Sequence, residues 1–220
     1  MIALSVLAVF LTALAAPVLG RYAGRAAGWP LAGALLGVAA MILAASASGA
    51  TEESLRWMPT LGVELSLRLD GLSLVFALLV LVIGAVVLAY SAGYLPHGRH
   101  SAFYGLMTLF AAAMLLLVLA DDVVVLFVAW ELTTLCSFFL IARSGSHGRE
   151  PAMRTLLVTA LGGLALLSAA VVMAVGVGST RISTILADGI WAEDPVFTGS
   201  VAALLCIAAF TKSAQFPFQF

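Results

Sequence analysis

Two ionisable side chains in this 220-residue chain occupy places where ionisable side chains are costly. Glu131 lies in LFVAWELTTLCSFFLI, residues 126–141, and Lys212, the only lysine, lies in AAFTKSAQFPFQF, residues 208–220. A charge at the centre of a bilayer costs at least about 2.5–3.5 kcal/mol on insertion scales, so such residues usually face a bundle interior or a wet cavity and mark ion pathways. Glu131 comes about eight residues, or roughly 12 Å at 1.5 Å per residue, after the start of its apolar run. That depth is close to a bilayer midplane.

The neighbours decide what chemistry these two groups could do. Thr133, Thr134 and Ser137 give the Glu131 segment a polar side, and Thr134, three residues on, shares a helical face with Glu131. The bland reading of Glu131 is an uncharged acid hydrogen-bonded to a neighbouring helix. The bland reading of Lys212 is an amine that snorkels to the interface. Against snorkelling, mostly apolar residues follow Lys212, and Pro217 between Phe216 and Phe218 cannot donate its backbone bond, so the helix is predicted to kink or break near Lys212. Broken helices at membrane depth are tolerated where they line a cavity. The two residues also complement each other in sign. Pairing lowers the cost of burying both, and protonating Glu131 or moving Lys212 away would switch the pair. Thr134, Ser137 and Ser213 are the candidate polar residues of such a pathway.

The elements that position these groups follow from composition. The chain is 63% hydrophobic and 10% charged with a mean hydropathy of +1.16, which excludes a soluble globular domain and predicts an integral membrane protein. About 20 apolar residues cross the hydrocarbon as a helix. Seven stretches approach that length, at residues 2–19, 31–47, 72–90, 102–119, 123–142, 155–177 and 196–218. Membrane strands would alternate over about ten residues, whereas these runs are continuously apolar, so an all-α fold is predicted. The first run has no positive residue before it and reads as a retained span, not a cleaved signal. Cys136 and Cys206 lie in apolar runs and read as buried small hydrophobes. No phosphate-binding loop or metal-ligand spacing is present, so neither cofactor nor metal is expected, and nothing points to nucleic acid.

Loop charges predict orientation. With the N-terminus outside, Arg21, Arg25, Arg99, Arg143, Arg149 and Arg154 fall inside, against Arg56, Arg68 and Arg181 outside, as the positive-inside rule requires. The acidic loop at residues 48–71 reads as a surface flap. Gly33 and Gly37, continued by Gly20, Gly24 and Gly28, have the spacing of close helix packing. His97 and His100 read as solvated loop histidines, with proton collection as the sharper alternative.

The wording of several segments is familiar. LDGLSLVFALL (69–79), WELTTLCSFFLI (130–141), LVTALGGLALL (157–167) and AFTKSAQFPF (209–218) together closely resemble the A subunit of Mrp-type multisubunit sodium/proton antiporters, itself homologous to the antiporter-like subunits of respiratory complex I. The resemblance makes Glu131 the fifth-helix glutamate and Lys212 the lysine of a broken seventh helix. Thr133 and the pair Gly162-Gly163 stand where the complex I relative has a glycine and a sixth-helix acid, which favours the Mrp branch. Gln219 departs from the histidine common after FPF in that branch, so the resemblance assigns no proton relay there.

The resemblance implies the first part of a two-inverted-repeat bundle: helices 1–3 at residues 1–101, and at 102–220 a first repeat lacking its last helix. It thus implies the N-terminal part of a longer, multi-pass cell-membrane subunit. That subunit, a secondary transporter and not an enzyme, would work with other Mrp subunits, exchanging protons and sodium through the Glu131–Lys212 pair. The alternatives are a proton-translocating subunit of NADH:quinone oxidoreductase and a non-transporting scaffold.

Overall fold

The computed structural model describes residues 1–49, 51–58, 63–98, 100–143, 145 and 148–219. Arg99 and the Arg56 side chain, both counted in the loop balance, lie outside the described residues, as does Phe220. Among the described residues, seven helices are long and apolar enough to cross a membrane. In chain order the elements are α1 (Ile2–Tyr22), a short 3-10 helix (Gly24–Ala27), α2 (Gly28–Ala47), β1 (Glu52–Met58), β2 (Val63–Arg68), α3 (Gly71–Tyr94), α4 (Ser101–Leu119), α5 (Val123–Ala142), α6 (Arg149–Val177), two short helices α7 (Ile182–Ala187) and α8 (Ile190–Glu193), and α9 (Pro195–Lys212).

Helix starts are written in the sequence. Asp70 opens α3 with a reciprocal capping box to Ser73, Asp122 accepts from the Val124 and Val125 amides at the start of α5, and Asp194 does the same for α9 with Pro195 at its first position. Each satisfies amide donors that the first turn leaves without intrahelical partners, and proline loses nothing there. At the other end of α6, Gly178 takes a left-handed φ of 74°, the conformation that closes a helix most cheaply with glycine.

The chain divides into two compact units, residues 1–54 with 67–119 and residues 55–66 with 120–220. In the first, α1 packs on α4, and α2 on α3. Ile2, Leu31, Leu35, Ile42, Leu81, Leu115 and Leu119 are fully buried there. The same helices also show apolar surface outward: α1 exposes Leu4, Leu7, Leu11, Leu14 and Val18 at three- and four-residue spacing while burying Ala13 and Ala16. A helix that shows large apolar side chains outward as well as inward, where Ile2, Val6 and Val9 are buried beside the alanines, suits a solvent that is lipid. Three of the five spaced glycines pack tightly: a Cβ on Gly20 would meet the His100 carbonyl at 2.9 Å, one on Gly24 the Gly98 carbonyl at 2.8 Å, and one on Gly28 the Tyr104 hydroxyl at 3.1 Å. Gly33 and Gly37 do not, because both sit on the exposed face of α2 with open space beside them. His100 places its ring Nε2 2.8 Å from the Pro96 carbonyl, a satisfied loop histidine.

The acidic loop is more ordered than a flap. β1 and β2 pair as a two-stranded sheet, and VELSLR of β2 alternates apolar and polar residues with the period of a strand.

In the second unit α6 packs against both α5 and α9. Val123, Ala169, Ala170, Met173, Ile185 and Val201 form one buried cluster, and Ala165, Leu166 and Ala208 another. The repeat boundary drawn from the resemblance at residue 102 and this division into packing units describe different things, ancestry and contact.

Candidate functional site on helices α5, α6 and α9

α9 ends at Lys212 and not at residue 218. The Ser213 amide donates to Ala209, Ala214 takes a φ of 50°, and the Gln215 amide reaches back to the Phe210 carbonyl. The regular ladder is therefore broken between Phe210 and Phe218, as Pro217 leads one to expect, with the helix stopping a full turn earlier than the proline itself. A cation in the last turn is favoured by the helix dipole.

The ammonium of Lys212 reaches α5. Its Nζ donates to Thr133 Oγ1 at 2.7 Å and Thr134 Oγ1 at 2.9 Å, lies 3.5 Å from the Trp130 carbonyl oxygen, and stands 5.0 Å from the centre of the Trp130 ring. The two hydroxyls in turn donate to the same Trp130 carbonyl, at 2.7 and 3.2 Å. A lysine has three N–H donors and no acceptor. Here three neutral oxygens meet those donors and the indole face adds a cation–π contact. Hydrogen bonds to charged groups contribute roughly 1.5–3 kcal/mol each. Two of them match the insertion cost of about 2.5–3.5 kcal/mol for a central charge.

Glu131 is close but turned differently. It and Lys212 form no direct ion pair among the described residues. Its carboxylate lies against α6, where a Cβ on Gly163 would collide with Oε1 and approach Cδ to 3.0 Å. Among the described residues, no group hydrogen-bonds Glu131 Oε1 or the Trp130 Nε1, though both atoms are buried. At about 100° per residue, Trp130, Thr133, Thr134 and Ser137 form one stripe on α5, and Glu131 stands beside it with Thr134 as its nearest stripe neighbour.

The structure thus brings Glu131, Thr134 and Lys212 into one region of the second unit. Ser137 is half-buried on the same stripe, its hydroxyl donating to the Thr133 carbonyl. Ser213 is exposed, its hydroxyl donating to Ala209, and Pro217 is exposed beyond the helix end. Thr133 was legible as a polar neighbour and a family difference, and Gly162-Gly163 only as a family difference. Their roles here are contact roles: Gly163 makes room for the Glu131 carboxylate, and Gly162 for the Thr211 side chain of α9.

Asp121 and Asp122, which stand between the fourth and fifth apolar runs, are 4% and 2% exposed. Asp122 caps α5 and accepts from the Thr180 hydroxyl at 2.6 Å, while Asp121 accepts from the Ser183 amide and hydroxyl at 2.9 and 2.8 Å. They tie the segment after α6 to the start of α5. The acid pair directly before an apolar run was the available signal for a cap.

Residues 120–220 match the family described as NADH:quinone oxidoreductase/Mrp antiporter, transmembrane region, and residues 57–104 match the N-terminus of chain 5 of NADH-ubiquinone oxidoreductase. The Na(+)/H(+) antiporter subunit A1 of Staphylococcus aureus is 40% identical over 169 residues, 76% of this chain and 21% of that protein. A subunit in the structure of the Mrp complex from Dietzia sp. DQ12-45-1b is 57% identical over 99% of this chain and 24% of its own, with a TM-score of 0.95. A subunit of respiratory complex I from Thermus thermophilus shares the fold at a TM-score of 0.77 and 23% identity, over 97% of this chain and 45% of its own. The chain belongs to the family of antiporter-type membrane subunits common to NADH:quinone oxidoreductase and Mrp antiporters. Within it, the chain corresponds to the N-terminal part of an Mrp-type A subunit. It spans about a fifth of the length of the curated relatives it matches.

Proposed function

We propose that this chain serves cation/proton antiport across the cell membrane, within a hetero-oligomeric Mrp-type complex that exchanges protons and sodium, with its N-terminus outside and with Glu131 and Lys212 carrying the proton-linked step. The observation that carries the reading is Lys212 itself, a lone lysine at the broken end of an apolar helix, held by α5 hydroxyls within reach of a second half-buried charge. A lysine fixed only for packing needs neither a broken helix nor an acid one face away. The site works as a pair of charges that can be joined or separated, and joining or separating them changes the affinity of each for a proton.

The test uses the full-length subunit in its assembled complex, in everted vesicles, with dequenching of a pH-sensitive dye on adding sodium. Glu131→Ala and Lys212→Ala are expected to assemble on native gels yet lose sodium-dependent proton movement. Lys212→Arg is expected to impair it too, because a guanidinium keeps its proton at any working pH. Full activity in an assembled Lys212→Ala complex makes the lysine structural and removes the reading, leaving a scaffold role.

A further inference from the structure

Resting on the proposed function, a second set of residues enters the same site. We propose that Thr133 and Thr134 are positioning residues: their hydroxyls form a neutral station for the Lys212 ammonium, apart from Glu131, and the side chain works by moving between that station and the carboxylate.

Three observations carry it. First, the ammonium in this structure is held without any acid: it donates to Thr133 at 2.7 Å and Thr134 at 2.9 Å, with the Trp130 carbonyl more distant at 3.5 Å. Second, the hydroxyl protons are committed to the Trp130 carbonyl, so each threonine presents a lone pair outward. A threonine in a helix interior usually spends its hydroxyl on the preceding turn, and here that habit preorganises two acceptors toward one cation. Third, Glu131 is held to the side by the space at Gly163, and Thr134 is the stripe residue beside it. Thr134 therefore holds the ammonium at one end of the movement and is the stripe residue nearest in helical angle to the acid at the other.

A neutral station matters physically. Were Glu131 the only partner, separating the pair would strand an uncompensated charge at a cost of about 3–5 kcal/mol. A second set of acceptors brings the two positions of the ammonium close in free energy, which an exchanging site requires and a structural ion pair does not.

The test replaces both hydroxyls isosterically, Thr133→Val with Thr134→Val, in the full-length subunit and assembled complex, beside Thr133→Ser with Thr134→Ser. The valine pair is expected to lower maximal sodium-driven proton movement about tenfold or more with the apparent KM for sodium little changed. In a density map of the complex its Lys212 Nζ is expected within ion-pair distance of Glu131. The serine pair is expected to restore both. Full turnover in the valine pair, or loss in the assembled serine pair as well, overturns the proposal, since the hydroxyl is then not what acts. Should the double valine variant not assemble, Thr134→Val alone keeps the packing and is read the same way. Lys212→Ala in the same assay separates the two readings: if it is silent while both threonine variants are fully active, only the station is wrong.

Discussion

The adjacent glycines of α6 make a paired test, because the same added methyl group meets a movable group at one position and a fixed one at the other. At Gly163 a Cβ would stand 3.0 Å from Glu131 Cδ and 3.6 Å from Oε2. Those atoms end a flexible side chain, and Oε1 stands closer still, so Gly163→Ala displaces the carboxyl group by about 1 Å or more, at a rotamer cost on the order of 0.5–1.5 kcal/mol. Exchanging a helical glycine for alanine returns up to about 1 kcal/mol. The net effect on stability is near zero. At Gly162 the Cβ would stand 3.0 Å from Thr211 Cβ and 3.4 Å from the Ala208 carbonyl. Neither can rotate away, so α6 and α9 must separate, an overpacking cost of roughly 1–3 kcal/mol. The assay reads assembly on native gels and thermal melting beside sodium-driven proton movement in vesicles. Gly163→Ala is expected to assemble normally and to transport about 10–100-fold more slowly, the scale at which misplacing a working group by about 1 Å acts. Gly162→Ala is expected to lose assembled complex first. Normal transport by Gly163→Ala, or a larger assembly defect there than at Gly162, refutes the assignment of the two contacts.

Asp122→Ala removes the cap of α5 and the acceptor of Thr180; it is expected to destabilise the assembled subunit by about 2–3 kcal/mol, from a cap worth about 1 kcal/mol and a buried hydroxyl left unpaired, with Thr180→Val costing less in the same melts. Asp70 has its carboxyl held below the usual carboxylate range by the Ser73 amide and hydroxyl. A depressed folded value means its stabilisation is complete above the unfolded value of about 3.9 and fades as pH falls through the folded one, so Asp70→Asn should melt below wild type at neutral pH and converge on it under acid. For orientation, in a background without Cys136 and Cys206, Ser144→Cys should be labelled only from the cytoplasmic side and Ser48→Cys only from outside; the reverse pattern overturns the arginine argument.

Helices were legible because a bilayer leaves the backbone no other way to satisfy itself, so length and hydropathy suffice. The first six spans differ from their predicted limits only at the ends, where α1 runs to Tyr22 and α6 starts back at Arg149 because amphipathic turns extend past the apolar run. α9 differs more. Hydropathy carries the span to residue 218, but the hydrogen-bond ladder stops at Lys212, and hydropathy does not read hydrogen bonds. Glu131 and Lys212 stood out because cost singles them out one residue at a time. Thr133 and Gly163 could not, because a threonine or a glycine in an apolar helix is cheap. Their meaning lies in what α9 and α5 bring against them, a tertiary fact.

The opposite signs of Glu131 and Lys212 had suggested a buried pair that could be switched; the contacts describe a lysine held by hydroxyls with its acid one face away. The difference changes what the site can do. A directly paired, buried Glu–Lys is a deep well, and leaving it strands two charges at once. An ammonium already solvated by three oxygens and a ring face can approach the acid or leave it while its charge stays compensated. The broken end of α9 fits the same reading: Lys212 hangs from the last turn, where the dipole favours a cation whether or not the acid is paired with it. On the proposed reading, the fold provides at this depth a charge whose partner can be changed, and Thr133, Thr134 and Gly163, which touch Lys212 or Glu131, are the positions at which that reading is most directly tested.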